Sequence, residues 1–403
     1  MAIAKKNASV KNNFTPGEKD SNARLTISFL LQRKLIFPHT AKLLTHFKNM
    51  DELVSLQKTQ LVIIDKLDLG HQPVILAPME DVTDPSFRYM CKHFGADMMF
   101  TEFISSDGLI RDGKKSVAKL NIFDYERPIG IQIYGHLIDA MVDAALLAER
   151  ANPEVVDINF GCPVKKIASR GAGSGMMREP DKMVEMTRQI VNAVKLPVTV
   201  KTRLGYDDSS KIIVELAERL QDVGIKALTI HGRTRAQMYK GEADWSLIGA
   251  VKQNPRMHIP IIGNGDIDGP LKAKEMFDRY GVDAIMIGRA TYGRPWIFNE
   301  VKHYLQSGEL LEQPSVIERV EIARMHFQKS LEIKGDRVGV FEIRRHFASY
   351  FKGLPDFKET RLKLVTTTNP DEIFGLLDYV ADKWGDFEEI KSMLHKSPLS
   401  GKE

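Results

Sequence analysis

Between residues 74 and 290 the chain alternates short apolar, β-rich runs with longer segments whose apolar residues recur at helical spacing. The runs are Val74–Ala77, Met98–Phe100, Ile129–Ile133, Val155–Ile158, Val198–Lys201, Ala227–Ile230, Ile259–Ile262 and Ala284–Ile287. The spacers include the amphipathic stretches Ala140 to Arg150, Met183 to Val194 and Ile212 to Val223, with Pro197 and Gly224 as stop signals. Eight such runs in succession predict an α/β fold, a (β/α)8 TIM barrel, rather than a doubly wound sheet. No glycine fingerprint of the dinucleotide-binding kind opens the first βα turn. After Trp296 the alternation stops and helical spacing continues, as in Ile317 to Lys329 and Phe341 to Lys352, which predicts a C-terminal all-α helical domain. The chain is therefore divided into an N-terminal extension (1–65), a barrel (66–311), a helical domain (312–395) and a tail (396–403).

Each apolar run ends in polar or small residues: Pro78-Met79-Glu80, Thr101-Glu102, Gln132, Asn159 with Cys162, Lys201 with Arg203, His231 with Arg233, Asn264-Gly265-Asp266, and Gly288-Arg289. One polar strand end is ordinary exit from a core. All of them in register point to a site, because the C-terminal strand ends of a barrel converge on one mouth. The last two ends place flexible backbone beside a guanidinium, at the position where barrels bind phosphate. Gln132 and Lys201 can reach the polar edge of a flat heterocycle; a buried amide and a salt bridge are the structural alternative. Asn159-Phe160-Gly161-Cys162-Pro163 leads into Lys165, Lys166, Arg170 and three glycines by Gly175, which reads as a mobile, positively charged loop. Cys162 meets substrate there, whereas Cys91, inside the helical pattern Ser86 to Phe94, packs. With no neighbouring triad pattern and no ligand-spaced Cys or His partners, Cys162 reads as a proton donor, and no metal is expected.

Composition narrows the class. With 403 residues, 43% hydrophobic and 27% charged, the chain is neither collagenous nor wholly disordered, and no run approaches the roughly 20 apolar residues of a membrane span. Two cysteines exclude a disulfide framework and favour a reducing, cytoplasmic setting. The net charge of +4 is unevenly spread. Met1 to Lys48 carries a balance of +7, which reads as a poorly packed basic arm with an organelle transit peptide left open. Arg319 to Lys363 carries +5 and residues 364–403 carry −4. In the basic stretch Arg337, Arg344, Arg345 and Lys352, with Tyr350 between them, form either a solvated helix face or a phosphate-binding surface.

The segments Leu76-Ala77-Pro78-Met79-Glu80-Asp81-Val82-Thr83-Asp84, Gln132-Ile133-Tyr134-Gly135, Asp157-Ile158-Asn159-Phe160-Gly161-Cys162-Pro163, Val200-Lys201-Thr202-Arg203, His231-Gly232-Arg233-Thr234, Asn264-Gly265-Asp266 and Gly288-Arg289-Ala290 together resemble the tRNA-dihydrouridine synthases, most closely their bacterial B-type branch. The resemblance covers roughly residues 72 to 365. It implies FMN as cofactor, NADPH (or NADH) as reductant, tRNA as partner and a monomer. It places Pro78, Met79 and Glu80 along FMN, Gln132, Lys201 and His231 at its ring and ribityl side, and Asn264, Gly265, Asp266, Gly288 and Arg289 at its phosphate end. Lys201 would also stabilise negative charge on a reduced flavin. Cys162 matches the family's acid, which protonates uracil C5 after hydride reaches C6, although the cations near it are expected to lower its pKa. Asn159 matches the group that grips the uracil edge; Arg203, Arg233, Lys165 and Lys166 are assigned to substrate, and Arg337, Arg344, Arg345 and Lys352 to tRNA phosphates. Glu80 departs from the pattern, since many relatives carry a small residue there, and its side chain would crowd the flavin if it entered the mouth. The first 60 or so residues match nothing in the family pattern. Competing readings are an rRNA uridine reductase with the same chemistry, an FMN barrel acting on a small molecule, and an RNA-binding chaperone.

Overall fold

The computed structural model describes residues 61–387. The expected extension through residue 60, the end of the helical region past 387 and the tail lie outside the described residues. The chain enters through an antiparallel hairpin, β1 (Ile63–Ile64) and β2 (Leu67–Asp68). Its Val62, Ile64 and Leu69 are buried in one cluster with Ile75, Met98, Phe100, Val155, Ala227, Ile262, Ala284 and Met286. The hairpin thus plugs the end of the barrel where the strands begin, opposite the mouth.

The strands that follow are β3 (Val74–Leu76), β4 (Met99–Phe100), β5 (Ile104–Ser105), β6 (Ile129–Tyr134), β7 (Val155–Asn159), β8 (Val198–Arg203), β9 (Ala227–His231), β10 (Ile261–Asn264) and β11 (Ala284–Ile287). They pair in parallel in the order β3-β11-β10-β9-β8-β7-β6-β4, with β5 continuing beside the far end of β6. A parallel bridge between Ile75 and Met98 closes the ring. Strands in such a barrel are covered on both faces, and for that reason they read as apolar runs rather than alternating ones. Each expected strand is present. The seventh starts two residues late, at Ile261 rather than Ile259, since Pro260 has no N–H for the ladder.

The helices are α1 (Pro85–His93), α2 (Ser106–Ile110), α3 (Lys114–Ala118), α4 (Ile138–Arg150), α5 (Lys165–Ala168), α6 (Pro180–Ala193), α7 (Ile213–Asp222), α8 (Ser246–Gln253), α9 (Pro270–Tyr280), α10 (Ile297–Ser307), α11 (Val316–Tyr350), α12 (Lys358–Thr366) and α13 (Pro370–Trp384). Helix α1 starts where Asp84 accepts the N–H groups of Ser86 and Phe87 and Pro85 pre-sets the first turn. Helix α11 starts with a Ser315/Glu318 capping box and breaks at Gly335, whose φ of 73° suits glycine. The two halves of α11 fold against α1: the Phe87 ring lies 4.5 Å from that of His346 and 5.5 Å from that of His326. Phe327 meets Phe347 and Phe374, which fastens α13 to α11. A single buried cluster runs from the barrel's outer layer into these helices, including Phe87, Phe298, Phe327, Phe347 and Trp384. Among the described residues no helix is long and apolar enough to cross a membrane.

Candidate active site at the barrel mouth

A cavity of about 800 Å³ opens at the C-terminal strand ends. Pro78, Met79, Glu80, Asn159, Cys162, Lys201, Arg203, His231, Asn264, Gly265, Asp266, Gly288 and Arg289 line it. Parallel register brings them together: Asn159 stands opposite Lys201, and Arg203 opposite His231, which in turn stands opposite Asn264. Phe103, Tyr239 and Tyr292 also line the cavity, and sequence reasoning missed all three. They sit on loops outside any periodic run, so only the folded arrangement marks them; the guanidinium carbons of Arg289 and Arg203 lie 4.9 and 5.8 Å from the Tyr239 ring centroid.

Two of the strand-end residues expected at the flavin or the base, Gln132 and Arg233, do not line the cavity. Gln132 is fully buried behind Asn159, with both ends of its amide engaged, and does not line the cavity. Arg233 is buried as well: its guanidinium grips Asp266 through two bonds of 2.8 and 2.6 Å and the carbonyls of Lys240 and Gly241. It shapes the Asp266 turn rather than facing substrate. That turn runs through positive φ at both Gly265 (127°) and Asp266 (54°), and a Cβ on Gly265 would stand 2.7 Å from that of Ala243. Arg289, half-exposed, reaches Asp266 at 3.2 Å from the rim.

Cys162 follows β7 on a turn fastened by Asn159, whose Oδ1 accepts the backbone N–H groups of Gly161 and Cys162 at 2.9 Å each. Burial pushes the Cys162 thiol up, outweighing the pull of the Val164 backbone N–H, Arg203 and Lys201. This corrects the expectation of a lowered pKa: desolvation of the thiolate wins over the neighbouring cations. The segment after it is not the open loop that its glycines suggested. It forms α5 and the 3₁₀ turn Gly173–Arg178, with Gly173 to Met177 buried and Ser174 Oγ donating to the Cys162 carbonyl at 2.7 Å. Lys165 and Lys166 are exposed on α5. Cys91 is buried and packed, as expected.

Burial also lowers Lys201 to about 8, with Arg203 adding to the effect, so the ammonium persists at neutral pH. Its Nζ has one acceptor among the described residues, Asn264 Oδ1 at 3.1 Å, which leaves two N–H donors for the cavity. Burial, reinforced by Arg203 and Lys201, holds His231 well below the usual histidine range, and its ring is neutral. The Arg203 guanidinium is tied to the carbonyls of Gly161, Thr234 and Met238 and keeps one nitrogen unengaged among the described residues. Glu80 turns to Lys119 at 2.5 Å, and the same ammonium lies 3.5 Å from Glu102. Glu80, Asp81 and Glu102 gather their carboxylates within 4.8 Å of one another, and Lys119 supplies a cation to two of them.

The expected RNA-facing cations divide. Arg337, Arg345 and Lys352 are exposed, with Arg345 3.7 Å from Asp81 beside the mouth. Arg344 instead donates to the carbonyls of Thr366 and Thr367 and closes the end of α12 onto α11. Phe341, 68% exposed, stands beside Arg337 and Arg344 in a surface groove.

Residues 75–381 match the family profile of Dihydrouridine synthase (Dus). The chain is 41% identical over 291 residues to tRNA-dihydrouridine synthase B of Pseudomonas putida, covering 72% of this chain and 86% of that one. It is 39% identical over 302 residues to a probable tRNA-dihydrouridine synthase of Rickettsia conorii, covering 75% and 90%. Among solved structures, an old yellow enzyme homologue from Zymomonas mobilis overlays with a TM-score of 0.47 at 12% identity, over 64% of this chain and 94% of that one. A parallel barrel with its polar strand ends gathered round a buried cysteine, matched along most of its described length, belongs to the dihydrouridine synthase family, among B-type relatives.

Proposed function

We propose that the protein is a flavin-dependent tRNA-dihydrouridine synthase, which reduces the C5–C6 double bond of uridines in tRNA. The observation that carries this reading is Cys162: a thiol kept protonated by burial, at the lip of a cavity whose other groups are suited to a flavin. The donor set fits FMN. Lys201 has two N–H donors to spare, neutral His231 offers one donor and one acceptor, and the strained Gly265-Asp266 turn with Arg289 suits a phosphate. Pro78 and Met79 supply the apolar wall, Asn264 and Gly288 complete the cradle, and Glu80, on the same lining, has its carboxylate held by Lys119.

When bound, FMN reduced by NADPH supplies the hydride for uracil C6. Lys201 would present its ammonium to the flavin's polar edge, where a cation favours the reduced ring. Cys162 delivers its proton to C5, and its raised pKa keeps that proton in place at neutral pH. The free nitrogen of Arg203 and the remaining Nδ2–H of Asn159 point this site toward acceptor atoms of the base. A stacked base cannot reach a barrel mouth, so the nucleotide must be flipped out of the tRNA fold. The names of the relatives support tRNA as the substrate. Exposed Lys165, Lys166, Arg337, Arg345 and Lys352 provide cations for its phosphates.

Purified protein incubated with FMN, NADPH and an unmodified tRNA transcript should form dihydrouridine, detected by mass spectrometry of the digested RNA. An FMN-loaded protein that oxidises NADPH yet leaves every uridine intact would remove this reading.

A further inference from the structure

Beneath the mouth lies a row of buried polar side chains of which the reaction described above uses only Asn159. Asp157, 1% exposed, precedes Asn159 by two residues on β7, so both point to the same face of the strand. Asp157 Oδ2 accepts from Gln132 Nε2 at 2.6 Å, and Gln132 Oε1 accepts from Asn159 Nδ2 at 2.8 Å. Asn159 Oδ1 then accepts the N–H groups of Gly161 and Cys162. Thr199 Oγ1 donates to the other oxygen of Asp157 at 2.5 Å.

We propose that Asp157 is a positioning residue for uridine reduction: its carboxylate fixes the hydrogen-bond direction of the Gln132–Asn159 pair, and that direction holds the Cys162 backbone in place. The proposal rests on the function proposed above.

A side-chain amide has one donor end and one acceptor end, and a flip exchanges them. Two amides in series can therefore run in two directions. A carboxylate only accepts, so Gln132 turns its NH₂ to Asp157 and offers its oxygen to Asn159. Asn159 must then give its NH₂ to Gln132 and keep its oxygen for the two backbone N–H groups. Those N–H groups, at the other end, demand the same orientation, and both ends of the row agree. Gln132 is 0% exposed, so no solvent replaces a partner lost by a flip, and a reversed amide would leave buried groups unpaired. Burial lifts Asp157 to about 6, which leaves the carboxylate ionised at neutral pH. One consequence concerns recognition. With Oδ1 spent, Asn159 can offer the substrate only a donor, which meets a uracil carbonyl and not its N3–H.

Reversing the row tests its direction. Asn159→Asp keeps an acceptor for the Cys162 N–H but leaves Gln132 between two carboxylates. Adding Asp157→Asn supplies a donor at the far end, so that the row can run the opposite way. FMN-loaded wild type, both single variants and the double variant are compared in anaerobic single-turnover reduction of an unmodified tRNA transcript, with flavin reduction by NADPH and flavin content recorded alongside. Asn159→Asp should slow uridine reduction about 100-fold, as expected for a displaced reacting group. The double variant should recover about tenfold of that loss, the size of a direct coupling between neighbours. Full recovery is not expected, because the Asn159 donor is absent from both. Losses that multiply would overturn the proposal. If Asn159→Asp yields no folded protein in either background, Asp157→Leu is set against Asp157→Asn. The leucine variant should then lose about 10- to 100-fold more uridine reduction than the asparagine variant, which can still accept from Gln132; equal rates would overturn it. A wild type that reduces no uridine would instead sink the functional reading itself.

Discussion

Lys334 places its ammonium 2.9 Å from Oδ1 of Asp84, joining the first half of α11 to the N-cap of barrel helix α1. Both side chains are nearly buried, and Lys334 also reaches Glu342 at 2.7 Å. Burial alone would raise the Asp84 carboxyl, but Lys334, with His346 and His326 behind it, holds it well below the usual carboxylate range. The break at Gly335 falls directly after Lys334 and lets the chain turn there. Since Asp84 ends the segment that begins with Pro78 and Met79, this ion pair ties the helical region to one wall of the mouth.

Removing one partner of a buried pair leaves the other uncompensated. Lys334→Met should therefore lower unfolding free energy by about 3 to 5 kcal/mol. Urea denaturation at neutral pH checks this, and a loss under 1 kcal/mol, on the order of a surface pair, would mean that water reaches Asp84.

Acid should loosen the same contact. Burial, partly offset by Asp84, lowers His346 to about 4, and His326 is held well below the usual range by burial and by His346. An unfolded histidine takes up its proton near pH 6.5. Between about 6.5 and 4 the unfolded chain thus binds more protons, and stability falls as pH falls. His346 alone accounts for up to about 3 kcal/mol over that window. Denaturation midpoints measured from pH 7 to pH 4.5 should drop in wild type and drop less in His346→Gln. Parallel curves would show that His346 takes up its proton as readily in the fold as in the unfolded chain.

Arg289→Ala should weaken FMN retention while leaving the fold intact. A charge-assisted hydrogen bond contributes about 1.5 to 3 kcal/mol, and half-exposure of Arg289 favours the lower figure. Titration of apoprotein with FMN reads this as about a tenfold rise in Kd. An unchanged Kd would take Arg289 out of the phosphate end.

The cations of the helical region give a salt-dependent signal. Glutamine at Arg337, Arg345 and Lys352 should weaken binding of different tRNAs alike and flatten the salt dependence by up to about 0.9 log units per contact removed. Arg344 is left out, because its guanidinium holds the carbonyls of Thr366 and Thr367. Equal slopes in salt titrations of mutant and wild type would assign these residues to solvent.

The barrel was legible because parallel strands buried on both faces leave uninterrupted apolar runs, and because the site residues follow each run at once. What escaped sequence reasoning depended on contacts between segments distant in the chain. Arg233 reads like Arg203 in sequence, yet only Arg203 keeps a face to the cavity; the carboxylate that captures Arg233 is Asp266, 33 residues away. The glycines after Cys162 suggested mobility, but they allow close packing of a turn that is bonded back to Cys162. The Cys162 pKa was misjudged for the same reason: nearby cations are visible in sequence, and burial is not. Tyr239, Phe103 and Tyr292 belong to loops with no periodicity to mark them.

The most direct measurement is anaerobic reoxidation of the NADPH-reduced, FMN-loaded protein by an unmodified tRNA transcript, in wild type and Cys162→Ala. Wild-type flavin should reoxidise in step with dihydrouridine formation. In Cys162→Ala, NADPH should still reduce the flavin, whereas reoxidation by tRNA should slow by about 10²- to 10⁴-fold, the usual contribution of a general acid. Reoxidation at the wild-type rate in Cys162→Ala, with dihydrouridine formed, would contradict the assignment of Cys162 as the proton source.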